Sequence, residues 1–116
     1  MSATYNISVK ALVGPLCVSA DDGQRLHDAI AKAIRGGKRV KVSFDGVQII
    51  ISAFLNAALG QLYGEFSEEV IRAHLSVSDM NAEDLDLLRR VIENAKVYFE
   101  NRKSFDDAWK SEVGDE

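Results

Sequence analysis

Residues 39–60 read RVKVSFDGVQIIISAFLNAALG, and their first part predicts the best-defined strand of the chain. Apolar and polar residues alternate strictly here, and the apolar members are Val40, Val42 and Phe44. A period of two predicts a strand with one buried face. Asp45-Gly46 then predicts a turn, because both residue types adopt the backbone conformations that turns require. The apolar run at residues 47–51 is compatible with a short buried extended segment.

A helical period begins at Ser52, which is the natural N-cap of the next segment. The predicted core positions of this helix are Leu55, Leu59, Leu62 and Phe66. Asn56, Gly60 and Gly64 recur at four-residue intervals along the same segment. Inside a helix, glycine costs up to about 1 kcal/mol relative to alanine. We therefore expect either the close approach of another element of the fold or a flat groove in which a partner docks.

The flanking segments continue the alternation of strands and helices. They predict a strand at residues 5–11, a helix from Ser19 to Gly36-Gly37, a short helix at residues 67–74, a short strand at residues 75–77 and a long helix capped by Asn81. This order implies an α/β fold with a partly parallel sheet. We predict a single domain over residues 1–103, with a small mixed sheet and about three to four helices packed mainly on one face. The strand order stays open.

The last helix carries more apolar residues than one buried face needs. Its core stripe is Leu85, Leu88, Ile92, Ala95 and Phe99, and its second stripe is Leu87, Val91 and Tyr98. Residues 104–116 form an acidic tail with the isolated aromatic residues Phe105 and Trp109. The second stripe is therefore either covered by this tail or exposed as a homodimer or partner surface.

The formal net charge is -4, and the acidic tail accounts for all of it. A neutral body argues against binding to nucleic acid or to an anionic membrane. The most basic segment of the chain contains Arg35, Lys38, Arg39 and Lys41. It predicts the solvated end of a helix and an adjacent strand, with a phosphate or nucleic-acid contact as the alternative. The first residues lack the apolar region of a signal peptide, and no apolar stretch is long enough to span a bilayer. We expect a cytoplasmic protein.

The chain offers little for catalysis. Cys17, His27 and His74 are scattered over three predicted elements, with Cys17 expected in the core and both histidines facing solvent or hydrogen-bonded locally. They cannot supply four zinc ligands, and no glycine-rich phosphate-binding motif is present. We predict no enzymatic activity, no cofactor and no metal. Asp45, at the carboxyl end of the best strand, is a turn residue or a contact for a partner or ligand.

Three short motifs resemble the STAS domain, and more closely a small bacterial STAS-like family of undefined function. They are the helix start DDGQRL at residues 21–26, the turn FDGV at residues 44–47, and the helix start SAF at residues 52–54 with GQLY at residues 60–63. The resemblance covers roughly residues 18–98. It implies a non-enzymatic, regulatory protein-binding module related to anti-sigma factor antagonists.

In that class, a histidine-kinase-like ATPase phosphorylates a serine at this helix start, and the phosphorylation state selects the partner. Here Ala53 occupies the acceptor position, so Ser52 is either a shifted acceptor or an N-cap. The predicted partner surface consists of Asp45, Gly46, Ser52, Asn56 and Gly60. Two alternatives stay open: a small-ligand or nucleotide sensor that uses the strand-end cleft near Asp45, and a structural homo-oligomer.

Overall fold

The computed structural model describes the backbone of residues 4–113 and the side chains of residues 4–100. Strands and helices alternate along this part of the chain. In order they are β1 (Thr4–Ser8), α1 (Val9–Val13), β2 (Leu16–Cys17), α2 (Ala20–Arg35), β3 (Arg39–Ser43), β4 (Ile49–Ile50), α3 (Ser52–Ala58), a 3-10 helix (Gly60–Gly64), α4 (Glu68–His74), β5 (Leu75–Ser78) and α5 (Ala82–Val113). The predicted α/β class is confirmed.

Two small sheets organise the fold. Strand β3 lies between β1 and β5 in a three-stranded sheet, while β2 and β4 form a separate two-stranded sheet. All pairings among the described strands are parallel, so the predicted mixed sheet is corrected to parallel sheets. The reason is that each pair of neighbouring strands is joined through at least one helix, which returns the chain to the same end of the sheet. Residues 4–113 contain five α-helices, one more than the upper bound predicted.

The three-stranded sheet has one buried and one exposed face, as the alternation in β3 predicts. Val40, Val42 and Phe44 are at most 2% exposed and pack beneath the helices. The opposite face carries exposed polar side chains from all three strands, and we call it the polar face: Thr4, Asn6, Ser8, Arg39, Lys41 and Ser76. The helices therefore pack on one side of this sheet, as expected.

The predicted strand at residues 5–11 ends early. Ser8 accepts a hydrogen bond from the Ala11 backbone N–H at 3.2 Å and caps helix α1. Val9 is completely buried at the start of this helix. A serine cap satisfies a free N–H group at a helix start, so the alternation over Val9-Lys10-Ala11 was overridden by a local turn.

The predicted helix from Ser52 through Phe66 is divided into two elements. Helix α3 ends at Ala58, and the chain continues as the 3-10 helix. A Cβ on Gly64 would collide with the ring of Phe99, so this glycine allows α5 to approach closely, which is one of the two interpretations left open by the sequence. Gly60 also lies under α5, but a Cβ there would meet Val91 Cγ1 and Ala95 Cβ at an ordinary contact distance of 3.5 Å. Its tightest neighbour would be Asn56 Oδ1 at 2.7 Å.

Helix α2 has the predicted ends. Ser19 Oγ accepts from the Asp22 N–H at 3.1 Å. At the other end Gly37 has a φ of 76°, and the Lys38 N–H bonds to the Ala33 carbonyl at 3.0 Å. This left-handed glycine satisfies carbonyls that a helix end leaves free. Helix α2 packs most extensively against α3.

Each of the two stripes predicted on α5 contains both buried and exposed residues in the structure. Leu88 and Ala95 are buried as expected, but Leu85 is 37% exposed. In the second stripe Val91 is only 7% exposed and belongs to the core, while Tyr98 is 58% exposed. Leu87 is partly buried against the core. Val91 is therefore not part of an exposed oligomer face, because α5 packs it against the 3-10 helix that contains Gly60.

Helix α5 continues to Val113, past the predicted domain boundary at residue 104. The side chains of Phe105 and Trp109 lie outside the described residues, so docking of the tail on α5 stays a prediction. None of the helices within residues 4–113 combines the length and the apolar character that a membrane crossing needs.

Candidate functional site

The Asp45-Gly46 turn follows β3 at the carboxyl end of the sheet. The Asp45 N–H donates to Ser43 Oγ at 3.2 Å, and Gly46 has a φ of 79°. A Cβ on Gly46 would lie 2.7 Å from Lys10 Cδ, so the turn is also closely packed. The turn interpretation is confirmed, and the side chain of Asp45 is exposed beside it.

Ser52 does not cap α3. The N-cap position is held by Ile51, which is extended at φ -113° and ψ 161°, and the helix start has no side-chain cap bond. Because β4 brings the chain into α3 in an extended conformation, the helix begins at Ser52 itself, one residue earlier than a Ser52 cap would require. Ser52 and Ala53 are both exposed in the first turn. The predicted N-cap role of Ser52 is therefore wrong, and its hydroxyl faces solvent.

An uncharged groove lies between α3 and α5. Two cavities of about 370 and 380 Å³ adjoin along it, and both are lined by Asn56 and Asn94. Ser52 lines one of them, and Gln61 lines the other. Amide and hydroxyl groups can both donate and accept hydrogen bonds, so they suit a neutral polar partner such as a peptide backbone. We call this feature the amide groove. Gly60 is buried beneath the groove, so it is not part of the exposed surface that a partner could contact.

An exposed apolar surface runs directly into the start of α3. It consists of Leu16, Val18, Ile49 and Ile51, which are between 37% and 50% exposed. Leu16 faces Ile49 in the parallel register of β2 and β4. Alternate residues point the other way, since Cys17 is completely buried. We call these four side chains the apolar ribbon.

The apolar ribbon is held by the backbone. The Gln48 N–H donates to the Pro15 carbonyl at 2.8 Å, and the Ile51 N–H donates to the Cys17 carbonyl at 3.0 Å. The sequence predicted a buried segment at residues 47–51 and no strand at Leu16. The available signal was the apolar character of Leu16 and Val18 on both sides of Cys17, but two-residue strands are too short to show a period.

A polar cluster closes the carboxyl end of the three-stranded sheet, and sequence reasoning missed it. Ser43 Oγ donates to Asp79 Oδ2 at 2.7 Å, and Ser78 Oγ donates to the same oxygen at 3.1 Å. These hydrogen bonds, with a smaller contribution from the charge of Lys41, lower the pKa of Asp79. Asp79 has a φ of 65°, a conformation uncommon outside glycine but accessible to aspartate. The cluster ties the end of β3 to the end of β5.

The cysteine and the two histidines have separate structural roles. Burial, followed by the charge of Asp22, raises the pKa of the Cys17 thiol to about 11, which makes it a poor nucleophile. Both histidines were expected to face solvent or to be hydrogen-bonded locally, but His27 is 3% exposed. Its Nε2 lies 2.8 Å from Glu65 Oε1, because the chain after the 3-10 helix brings Glu65 over α2. His74 Nδ1 lies 3.2 Å from the Lys38 carbonyl, so its partner is also distant in the sequence.

No group of three potential metal-ligating His, Cys, Asp or Glu side chains was found within the described residues. The exposed groups near α3 are hydroxyls, amides and apolar side chains, and these are suited to noncovalent recognition. Together with the parallel sheets, they define a small α/β module with an apolar and amide-lined surface at the start of one helix.

Comparison with known families identifies this module. Residues 22–85 match a family described as a STAS-like domain of unknown function, and the match covers more than half of the chain. The protein belongs to this STAS-like family, as the sequence motifs predicted. The matched range includes β3, β4, α3 and β5. Neither the curated proteins nor the solved structures contain a match to the chain.

Proposed function

We propose that this protein is a non-enzymatic regulatory module that binds another protein through the apolar ribbon and the exposed start of α3. The observation that carries this proposal is the exposure of four large aliphatic side chains on one side of β2 and β4. Isolated apolar residues are common on protein surfaces, but a contiguous group is typical of an interaction site. Burying it beneath a partner would gain about 25 cal/mol for each Å² removed from water.

The surroundings of the ribbon supply the polar part of such an interface. Ile51, at its end, is followed directly by Ser52, and Ser52 leads into the amide groove with Asn56. An apolar centre bordered by neutral hydrogen-bonding groups is the usual composition of a protein interface. Asp45 and Gly46 lie in the turn before β4, and Ser52 lies directly after Ile51. The predicted surface residues therefore flank the β4 part of the ribbon on both sides in the sequence.

Partner switching is the more specific part of the proposal. Ser52 has an exposed hydroxyl without a capping role, so it is the acceptor that we propose in place of Ala53. A phosphate there would add a charge of about -1.5 to -2 next to the ribbon. Such a charge would oppose the docking of an apolar surface and would release the partner. A histidine-kinase-like ATPase is the partner class that the family resemblance implies.

The test is a pull-down of the full chain from its native cells, with intact mass measurement of the recovered protein. We expect a specific partner with the wild type, and loss of that partner with Ile49→Asp. Val97→Asp is the matched control, because Val97 is 56% exposed on α5 and lies outside the ribbon. Equal capture by both variants, with folding verified by circular dichroism, would contradict the proposed surface. An added phosphate that disappears in Ser52→Ala would support switching.

The two alternatives have less support from the fold. A homodimer through the second stripe of α5 would have to form without Val91, which is buried, so it would use Leu87 and Tyr98. The ligand-sensor alternative rests on Asp45, and calorimetry with nucleotides is its direct test. Saturable nucleotide binding that Asp45→Ala abolishes would favour the sensor over the protein-binding module.

A further inference from the structure

A second candidate site lies on the polar face, and it shares no residue with the apolar ribbon or the amide groove. It is a cavity of about 270 Å³ near the amino ends of β3 and β5. The side chains that give it its chemical character are Thr4, Arg39, Lys41, Arg72, His74 and Ser76. Three separate segments therefore contribute to one cavity: β1, β3 and the junction of α4 with β5.

The four basic residues that lie close together in the sequence have different surroundings in the structure. Arg35 Nη2 donates to Glu65 Oε2 at 2.9 Å, and Lys38 Nζ lies 5.9 Å from the centre of the Tyr5 ring. Arg39 and Lys41 point to the polar face instead, where α4 adds Arg72. The cationic cavity is thus assembled from residues more than thirty positions apart. The sequence offered Arg39 and Lys41 as a possible phosphate contact, but it did not indicate that Arg72 joins them.

The positive charge in this cavity is poorly balanced. Arg39 and Lys41 are two positions apart on β3, so they lie on the same face. Their neighbours across the sheet are uncharged: Thr4 is in register with Arg39, while Asn6 and Ser76 are in register with Lys41. Like charges on one face repel each other unless an opposite charge intervenes. Among the described residues, no acidic side chain lines the cavity.

The nearest carboxylates are already engaged. Arg72 Nη2 lies 3.2 Å from Glu68 Oε1, but Lys96 Nζ lies 2.6 Å from the same oxygen. Two cations therefore share one carboxylate, and Arg72 is only partly neutralised. Asp79, at the carboxyl end of the sheet, accepts hydrogen bonds from Ser43 and Ser78, and the charge of Lys41 also acts on it. The three cations of the cavity therefore face two carboxylates, one of which is shared with Lys96, and an excess of positive charge remains near the amino end.

We propose that Arg39, Lys41 and Arg72 bind the phosphate group of a small phosphate monoester on the polar face. Guanidinium groups match the geometry of phosphate oxygens, and lysine adds a point charge. The Thr4 and Ser76 hydroxyls supply neutral donors at the same cavity. His74 forms one wall, with its Nδ1 turned towards the Lys38 carbonyl.

The size of the cavity limits the ligand. Pockets for drug-sized ligands enclose about 300–1,000 Å³, so 270 Å³ accommodates a phosphate with a small substituent rather than a whole nucleotide. A larger group on the same ester would extend over the exposed polar face and gain few contacts. Phosphate and glycerol phosphate are accordingly the probes of choice, and AMP tests the size limit.

The experiment is a titration of the full chain with glycerol phosphate at low ionic strength, followed by amide chemical shifts. We expect saturable shifts around residues 39–41 and 72–76. The double variant Arg39→Gln/Lys41→Gln should bind at least about tenfold more weakly, since it removes two of the three cations that we assign to the phosphate. The control is Arg25→Gln/Arg89→Gln, which lowers the net charge equally at exposed arginines outside the cavity.

The control distinguishes a site from general attraction. Binding within about twofold of the wild type in the control variant would support the site. Equal weakening in both variants would overturn it, because the effect would then follow net charge alone. Absence of saturation in the wild type would overturn it as well. AMP binding more than about tenfold tighter than glycerol phosphate would overturn the assignment to a small ester.

Discussion

The outer surfaces of the two sheets differ in composition, although both sheets are parallel and both are reached by the same kind of crossover. The polar face of β1, β3 and β5 presents hydroxyl, amide and cationic groups that water can solvate. The apolar ribbon of β2 and β4 presents aliphatic side chains that water solvates poorly. A solvated face needs no partner for stability, whereas an exposed aliphatic group gains free energy only when something covers it. This contrast is the basis of the two proposals, a phosphate ester on the first surface and a protein partner on the second.

The ribbon depends on helix packing more than the three-stranded sheet does. Strand β2 leads into α2 and β4 leads into α3, so the contact between these helices also sets the spacing of the two strands. Gly23 is the point of closest approach. A Cβ there would lie 2.6 Å from the Phe54 carbonyl oxygen and 2.9 Å from Ala57 Cβ. The carbonyl belongs to the backbone of α3 and cannot rotate away.

The largest effect is expected from Gly23→Ala. The added methyl group would force α2 and α3 apart, and we expect a loss of about 3 kcal/mol in the free energy of unfolding, at the upper end of overpacking penalties. Amide hydrogen exchange at Cys17 and Ile51 should accelerate more than exchange at Val42, because the ribbon is displaced first. Denaturant unfolding and hydrogen exchange measure the two quantities.

Gly36→Ala is the matched control for this substitution. Gly36 has a φ of -79°, and the nearest atom to a Cβ there is the Ala33 carbonyl oxygen at 3.5 Å. We expect a change within about 0.5 kcal/mol, as for most surface substitutions. A loss below about 1 kcal/mol in Gly23→Ala would contradict the close contact between α2 and α3.

A second prediction compares two valines. Val42 is completely buried in β3, whereas Val18 is 47% exposed in the ribbon. Val42→Ala should cost about 2 kcal/mol, from two lost methyl groups and the cavity that they leave. Val18→Ala should cost less than about 1 kcal/mol but should weaken capture of the protein partner. Equal stability losses with unchanged capture would remove the distinction between a core sheet and a binding ribbon.

The same contrast explains which parts of the fold the sequence could predict. Strand β3 was predicted almost to the residue, because polar solvent on one side and a core on the other impose strict alternation. Residues 47–51 were assigned to the interior, because apolar side chains are usually buried. Ile49 and Ile51 of the ribbon are nevertheless exposed. Their exposure depends on the placement of α2 and α3, which is a tertiary property. Sequence periodicity assumes that apolar side chains are buried, so it cannot recognise an exposed apolar surface.

The candidate sites were predictable to a similar extent. The start of α3 was found from local motifs, and the turn at Asp45 was found from its residue types. For Gly60 the sequence left a packing role and a docking groove open, and only the fold shows that it lies beside Val91 and Ala95. The cationic cavity was visible in part, since Arg39 and Lys41 are close in the sequence but Arg72 comes from α4. Local motifs can be recognised in the sequence, but contacts between residues from distant segments can be seen only in the folded structure.

A third prediction separates a capping serine from an exposed one. Ser19 Oγ accepts a backbone hydrogen bond at the start of α2, and Ser52 makes no such bond at the start of α3. Ser19→Ala should lower the free energy of unfolding by about 1 kcal/mol. Ser52→Ala should change it by no more than about 0.5 kcal/mol. A comparable loss in both variants, measured by urea unfolding, would restore the capping role of Ser52.

The smallest effect concerns the acidic end of the polar face. The Ser43 hydroxyl is the main reason that the pKa of Asp79 is lowered, so Ser43→Ala should raise this pKa towards its usual range. A lowered pKa stabilises the folded state above the pKa of the unfolded chain, and this stabilisation is lost as the pH falls through the folded-state pKa. The stability difference between wild type and Ser43→Ala should therefore be full at neutral pH and shrink below about pH 4.

Carboxyl carbon NMR titration of Asp79 measures this shift directly. Ser76→Ala is the control, because Ser76 is exposed on the same face and the bonds to Asp79 come from Ser43 and Ser78. An unchanged Asp79 titration in Ser43→Ala would show that the Ser43 hydroxyl does not lower the pKa of Asp79. If the shift is found, the polar face carries an ionised acid at one end and uncompensated cations at the other. That polarity would orient an anionic ligand towards Arg39 and away from Asp79, whereas the apolar ribbon has no charge with which to orient a ligand.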